Sequence, residues 1–273
     1  MRAALLQMTS GVDPAANART LIQGIADAAA GGAAMLFTPE MSGLLDSDRD
    51  RAAGSLAYEE EDRVLAAVRE AAARHGMWVH LGSLAVMRRD GRLANRGFVI
   101  DDRGEVRARY DKMHLFDVEL ASGERWRESD RYAAGEEAVL IETPLGMLGL
   151  AICYDLRFPD LFRALSDAGA SLFAVPAAFT RPTGAAHWHV LLRARAVEAG
   201  AFVLAAAQTG EHEDGRATYG HSLAVSPWGE VLLDMGERTG LGFVEMDPAL
   251  VAEARARVPV LKHRRAIAAP MRT

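Results

Sequence analysis

The chain has 273 residues, half of them hydrophobic and a quarter charged, a composition that can bury a sizeable core and that excludes a disordered or repeat-array protein. A net charge of -6 argues against nucleic acid as a partner, and a single cysteine rules out an internal disulfide and any C-x-x-C motif, which favours a reducing, cytoplasmic setting. The apolar run in Met1–Gln7 is too short for a signal peptide and no window approaches transmembrane length, so no membrane partner is expected.

Residues 2–8 read as a strand, and Asp13-Pro14 supplies the N-cap and first-turn proline of an Ala-rich helix ending at Gly31-Gly32. Ala34 to Thr38 is a short buried strand stopped by Pro39, with Glu40 directly after it. A Gly- and Asp-rich loop over 42–54 leads to a helix over 56–75 closed by Gly76, and Trp78 to Val86 returns as a strand. Gly97–Ile100 and Glu105–Tyr110 flank Asp101-Asp102-Arg103-Gly104 in hairpin fashion. The polar segment 111–137 is long for a loop inside a compact domain, which points to function. Met147 to Ile152 then forms an apolar run ending in Cys153, followed by polar residues and Pro159, the pattern of a buried strand whose end opens a helix. A last helix over 248–256 leaves 257–273 as a tail too polar to fold alone, expected to lie on another subunit. The basic cluster Arg255, Arg257, Lys262, Arg264 and Arg265 reads as a solvated or subunit-contact segment.

The second half repeats the first in outline. Gly169–Pro176 matches Gly32–Pro39 in length, apolar pattern and both end residues; Gly200–Val203 parallels Gly76–Val79, and Val225–Val231 parallels Ile100–Val106. With no linker between them, these halves are read as a single domain over 1–273: an α/β fold of two sheets, each with helices on one face, packed as a four-layer αββα sandwich.

A nucleophile suits the corner at Cys153, where orphan backbone N–H groups can polarise a thiol and bind an oxyanion. Such a thiol needs a base. His187 and His189 lie close in sequence but nothing ties either to Cys153, although His187 is placed to line a pocket. Glu40, fixed at a strand end by Pro39, is the alternative base, and Lys112, set among apolar residues just after a hairpin strand, is an oxyanion cation.

The motifs Phe37-Thr38-Pro39-Glu40, Tyr110–Asp117 and Gly149–Pro159 resemble the nitrilase superfamily of carbon-nitrogen hydrolases, and the resemblance continues through Thr183–Trp188, Arg193–Glu198, Tyr219–Ser222 and Val258–Val260. It implies a Glu40-Lys112-Cys153 triad on a nitrilase-like αββα sandwich, a second glutamate, Glu128, assisting it, and a homodimer or higher homo-oligomer. It also implies hydrolysis of a small carboxamide to acid and ammonia through a thioester acyl-enzyme, with no metal or organic cofactor. Gln208-Thr209-Gly210 and Thr218–Ser222 look closest to the deaminated-glutathione amidases, with the omega-amidases beside them; Leu120–Trp126 departs from the family pattern and leaves the substrate open.

An anionic amide suits an arginine, for which Arg181 is the candidate, with Tyr154 and Phe179 as pocket walls. Arg157, Arg193, Arg195 and Glu198 read as a buried or partly buried ion-pair set supporting the site. The rival readings are an inert binding or scaffold homologue, nitrile or N-carbamoyl hydrolysis or acyl transfer to an amine at the same site, and a thiol redox sensor, which would lack a resolving cysteine.

Overall fold

The inner strands are buried on both faces, and successive side chains enter different apolar clusters, which sets the layers. In β1 (Arg2–Gln7), Ala3 and Leu5 join an apolar cluster with Leu148, Leu150, Leu172 and Ala174 of the second half, whereas Ala4 and Leu6 join another with Leu21, Ile25, Leu65 and Val68 of two helices. One face of the first sheet therefore packs on the second sheet and the other on helices. The computed structural model describes residues 1–119 and 125–272; residues 120–124, part of the segment that departs from the family pattern, lie outside the described residues.

In chain order the first half continues with α1 (Pro14–Ala30), β2 (Met35–Phe37), α2 (Arg49–Ala53), β3 (Ala57–Tyr58), α3 (Arg63–His75), β4 (Trp78–Met87), β5 (Leu93–Ile100), β6 (Val106–Asp111) and the small hairpin β7 (Asp117–Glu119) and β8 (Arg125–Arg127). The second half has β9 (Leu140–Thr143), β10 (Gly146–Leu150), α4 (Pro159–Asp167), β11 (Leu172–Ala174), α5 (Arg181–Ala199), β12 (Phe202–Ala205), β13 (Thr209–Glu211), β14 (Ala217–Tyr219), β15 (Leu223–Val225), β16 (Val231–Asp234), β17 (Gly240–Glu245), α6 (Ala249–Arg257) and α7 (Val260–His263). The sheets run β17-β1-β2-β4-β5-β6, with β3 on β4, and β16-β15-β12-β11-β10-β9. In each, two parallel pairings lie between antiparallel ones (β1-β2-β4 and β10-β11-β12), the kinship anticipated from the repeated landmarks. Together with α1 and α3 on one side and α4 and α5 on the other, this is the αββα sandwich.

Two expectations change. Residues 56–75 are not one helix: Ala57-Tyr58 pairs in parallel with Val86-Met87, and the helix starts only after Asp62, whose carboxylate caps the Leu65 N–H at 2.8 Å. Two members of the C-terminal basic cluster, rather than being solvated, fasten that end to their own chain: Arg255 donates to the carbonyls of Ala170 and Ala199, and Arg264 pairs with Asp167.

Candidate active site

Each reactive side chain leaves the end of a sheet strand or the turn after it. Cys153 follows β10 with φ 50°, a left-handed conformation rare for a residue bearing Cβ. Its backbone N–H donates to Pro176 O at 2.9 Å, tying the corner to the neighbouring strand end. The fully buried Asp155 carboxylate locks the rest: Oδ2 accepts from Tyr110 Oη (2.7 Å) and Ile152 N (2.9 Å), and Oδ1 from the backbone N–H of His114 (2.9 Å), with the His114 ring Nδ1 at 2.7 Å. The cysteine corner and the segment carrying Lys112 are thus pinned to one anion.

Glu40, Lys112 and Cys153 are all buried and meet at the floor of a cavity of about 520 Å³. Glu40 Oε1 accepts from Lys112 Nζ (2.9 Å) and Asn95 Nδ2 (2.9 Å), while Oε2 accepts from Ala178 N (2.9 Å). Cys153 lines the same cavity as Glu40, Asn95 and Lys112. Glu128 lies on the other side of Lys112, at 2.8 and 3.1 Å from Nζ, and is itself held by Phe116 N (2.7 Å) and Asn95 Nδ2 (3.1 Å).

The electrostatics follow from one largely desolvated cation between two carboxylates. Burial alone would raise the Glu40 carboxyl, but the Lys112 ammonium and the donors from Cys153, Lys112 and Asn95 hold it below the ordinary glutamate value. Burial alone would lower Lys112; Glu128 and Glu40 override it and hold the ammonium well above its usual range. Burial and then the Glu40 charge push the Cys153 thiol well up, against the pull of Lys112. The resting arrangement is a neutral thiol beside an ionised carboxylate: a proton donor next to a base, not a preformed thiolate.

Of the residues picked from sequence, Glu40, Lys112, Glu128, Cys153, Tyr154 and Phe179 all line this cavity. Arg181 does not: as the first residue of α5 it faces Glu211 at 3.6 Å, away from the cavity. His187 is also off the wall, with its Nδ1 3.1 Å from Arg157 Nη1, and among the described residues the wall holds no histidine. Arg157 departs from the expected ion-pair set. It reaches the wall, its guanidinium 5.8 Å from the centroid of Tyr154 and 5.4 Å from that of Phe179. Arg193 donates to Gly229 O, and only Arg195 and Glu198 pair, at 2.7 Å, while Arg195 also donates to Leu156 O in the turn after Cys153.

Sequence reasoning missed Asn95, the Asp155 network and the crowd of arginines. Arg49, Arg125, Arg127, Arg131, Arg157 and Arg216 all line the cavity. Arg49, Arg125 and Arg216 pair with Asp130, Glu119 and Asp214; among the described residues Arg127, Arg131 and Arg157 form no ion pair. Away from the cavity, His189 and His221 flank Asp234 at 3.0 and 2.8 Å, the one grouping of three such side chains among the described residues with metal-ligand proximity. These contacts, with a further hydrogen bond from Gly236 N, satisfy Asp234 without an ion.

The carbon-nitrogen hydrolase family model matches residues 2–256. Over 265 residues the chain is 39% identical to deaminated glutathione amidase of Yersinia enterocolitica, covering 96% of this chain and 92% of that one. The crystal structure of the Caenorhabditis elegans NitFhit protein superposes with a TM-score of 0.89 at 39% identity over 97% of this chain, which spans 65% of the NitFhit chain. An amidase from Nesterenkonia sp. AN1, with acrylamide added at its active-site cysteine, matches with a TM-score of 0.78 at 28% identity over 95% of this chain and 98% of its own.

Proposed function

This chain belongs to the carbon-nitrogen hydrolase family, and we propose that Cys153 is its nucleophile, Glu40 its general base and acid, Lys112 its oxyanion cation, and deaminated glutathione its substrate. The enzyme is a cysteine-dependent amidase acting on C–N bonds other than peptide bonds. The observation that carries the roles is a buried cysteine that shares its cavity with a buried carboxylate whose Oε1 is held 2.9 Å from an ammonium.

As the Cys153 sulfur bonds to the carbonyl carbon, its proton passes to Glu40 and the carbonyl π pair becomes an oxyanion facing Lys112 Nζ and a backbone N–H after Cys153. Collapse breaks the C–N bond, Glu40 gives its proton to the departing amine, and a thioester remains. Glu40 then deprotonates a water that attacks the thioester, the sulfur leaves and is reprotonated, and the acid departs. Oε1 of Glu40 already accepts from two donors, so the proton travels on Oε2. Glu128 orients Lys112 and the attacking water.

Deaminated glutathione carries carboxylates, and a cavity with three unpaired arginines among the described residues favours such an anion. Arg157 replaces Arg181 as the carboxylate-binding candidate. We also read the chain as one domain working in the cytoplasm as a homodimer or higher homo-oligomer, its tail covered by a second copy; Ile267 and Met271 on that tail are 87% and 91% exposed.

The test is a panel of deaminated glutathione, 2-oxoglutaramate, a simple nitrile and an N-carbamoyl amino acid, with Cys153→Ala alongside. The amide nitrogens of the glutathione skeleton are substituted, so cleavage of the non-peptide one releases cysteinylglycine, read by chromatography; ammonia reports the primary amide. Turnover of deaminated glutathione above the others, lost in Cys153→Ala, is the expected result. Retained turnover in the variant would remove the nucleophile, and preference for another panel member would remove the substrate.

A further inference from the structure

We infer that Asn95 is a positioning residue for this reaction, the shared donor that aligns Glu40 and Glu128 on Lys112; the inference rests on the roles proposed above for Glu40 and Lys112. Asn95 lies in β5, 1% exposed, and touches three of the four groups. Its Nδ2 donates to Glu40 Oε1 at 2.9 Å and to Glu128 Oε1 at 3.1 Å, and its backbone carbonyl accepts from Lys112 N at 2.9 Å. Chemistry alone fixes the orientation of the amide, because the flipped form would set Oδ1 against two carboxylates. Its Oδ1 is buried and has no partner among the described residues. An unsatisfied buried carbonyl is costly, so this amide is not retained for its own satisfaction; the donor end is the one in use.

Two roles follow. The two hydrogens on one planar nitrogen hold the carboxylates in a fixed relation, which a flexible lysine ammonium cannot do alone. Asn95 and Lys112 also keep Oε1 of Glu40 occupied while that residue carries the proton from Cys153, so the proton stays on Oε2, beside Ala178 N–H, from where it reaches the leaving amine. Without Asn95, Oε1 can take the proton and face it toward Lys112 and away from the substrate.

The experiment compares wild type, Asn95→Ala and the isosteric Asn95→Asp by the pH dependence of two rates: amide hydrolysis and alkylation of Cys153 by iodoacetamide, which needs no substrate. Asn95→Ala is expected to lower kcat/KM by roughly ten- to a hundredfold, mostly in kcat, and to move the acidic limb of both profiles to higher pH, because ionised Glu40 loses a donor. Asn95→Asp, which puts a third carboxylate between the other two, should do more of both. A residue that served only the fold would lower the melting temperature and leave the limb in place. Asn95→Ala within twofold of wild type with an unmoved limb, or Asn95→Asp equal to wild type, overturns the inference. If Asn95→Ala unfolds, Asn95→Ser, too short to reach both carboxylates, is held to the same criteria. Glu40→Gln separates the levels: retained turnover there removes the reading of Glu40 itself, whereas an inactive Glu40→Gln beside a normal Asn95→Ala removes only the role of Asn95.

Discussion

Replacing Lys112 by methionine keeps the volume of the side chain and removes the cation between the buried Glu40 and the partly buried Glu128 carboxylates. The Oε1 atoms of Glu40 and Glu128 share Asn95 Nδ2 at 2.9 and 3.1 Å, so they lie at most about 6 Å apart, and at an effective dielectric constant near 20 the two charges repel by about 3 kcal/mol. That agrees with the roughly 3–5 kcal/mol lost when one partner of a buried ion pair is removed. The sign of the pH dependence is fixed. In the wild type the folded Glu40 pKa is depressed, so its contribution to stability is present above the ordinary glutamate value and is lost as pH falls through the folded value. In Lys112→Met the Glu40 carboxyl loses the ammonium that holds it down and burial shifts it upward, so the penalty is full above the raised pKa and fades as pH falls toward the ordinary value. Urea unfolding near neutrality and again about two pH units lower should therefore show a deficit of about 3 kcal/mol or more that shrinks on acidification. The double variant Lys112→Met/Glu128→Gln should recover most of the repulsion. A deficit below about 1 kcal/mol near neutrality, or one that does not change with pH, would refute the assignment of Lys112 as the counter-charge.

Asp155→Asn sets an amide where a carboxylate accepts from Tyr110, Ile152 and His114; facing donors with donors should cost about 3 kcal/mol by denaturant melts and slow Cys153 alkylation, and a loss under about 1 kcal/mol would show that Asp155 does not lock the corner. Arg157→Gln should raise KM for a carboxylate-bearing amide roughly tenfold or more and spare an uncharged one, whereas Arg181→Ala, losing only an exposed pair with Glu211, should change neither; equal losses on both substrates in Arg157→Gln would remove it as an anion contact. Gly82→Ala would set a Cβ 2.2 Å from Thr38 O, 2.4 Å from Pro39 O and 2.6 Å from Pro176 Cβ, so turnover should collapse and stability fall by about 1–3 kcal/mol or more; a fully active variant would contradict the packing around Glu40.

The reactive core was legible because its members stand where local chemistry marks them: Glu40 after Pro39, Lys112 after a hairpin strand, Cys153 where an apolar run breaks. The matching strand ends of the two halves already suggested that Glu40 and Cys153 meet at one edge, whereas the place of Glu128 was legible only through family resemblance, since no spacing in the chain encodes its contact with Lys112. Asn95 escaped because the hairpin strand seemed to start at Gly97; β5 begins at Leu93, so Asn95 lies inside the strand, with buried Ala94 before it and half-buried Arg96 after it. Arg157 was misread for a related reason. Tyr154 and Phe179 were read as pocket walls, yet Arg157 beside them was assigned to an ion-pair set; its guanidinium lies over both rings and its charge meets the cavity, not a carboxylate. Arg181 was placed by its loop alone, whereas the helix already begins there and directs it to Glu211. In 56–61 the glutamates suit a helix in composition, yet the Asp62 cap shows that the helical period starts only at Arg63.

The doubled architecture explains why the site lies where it does. Gly32–Pro39 and Gly169–Pro176 are matching strand ends in the two halves, and packing the sheets face to face brings those ends together: Gly82, beside β2, is pressed between Pro39 and Pro176. The residue after the first end is Glu40, and two residues after the second is Ala178, whose N–H donates to Glu40 Oε2 at 2.9 Å. Pro176 itself accepts the Cys153 N–H. A carboxylate from one half is thus held by a backbone donor of the other, and the nucleophile is tied to that same second end. Orphan backbone groups are a necessary product of two sheets ending at one edge, and here they serve as fixed donors and acceptors around the cavity. The proposed base and nucleophile are therefore positioned by the same contacts that hold the two sheets together, so a change that loosens the sheet interface near Gly82 should reach the chemistry without touching either side chain.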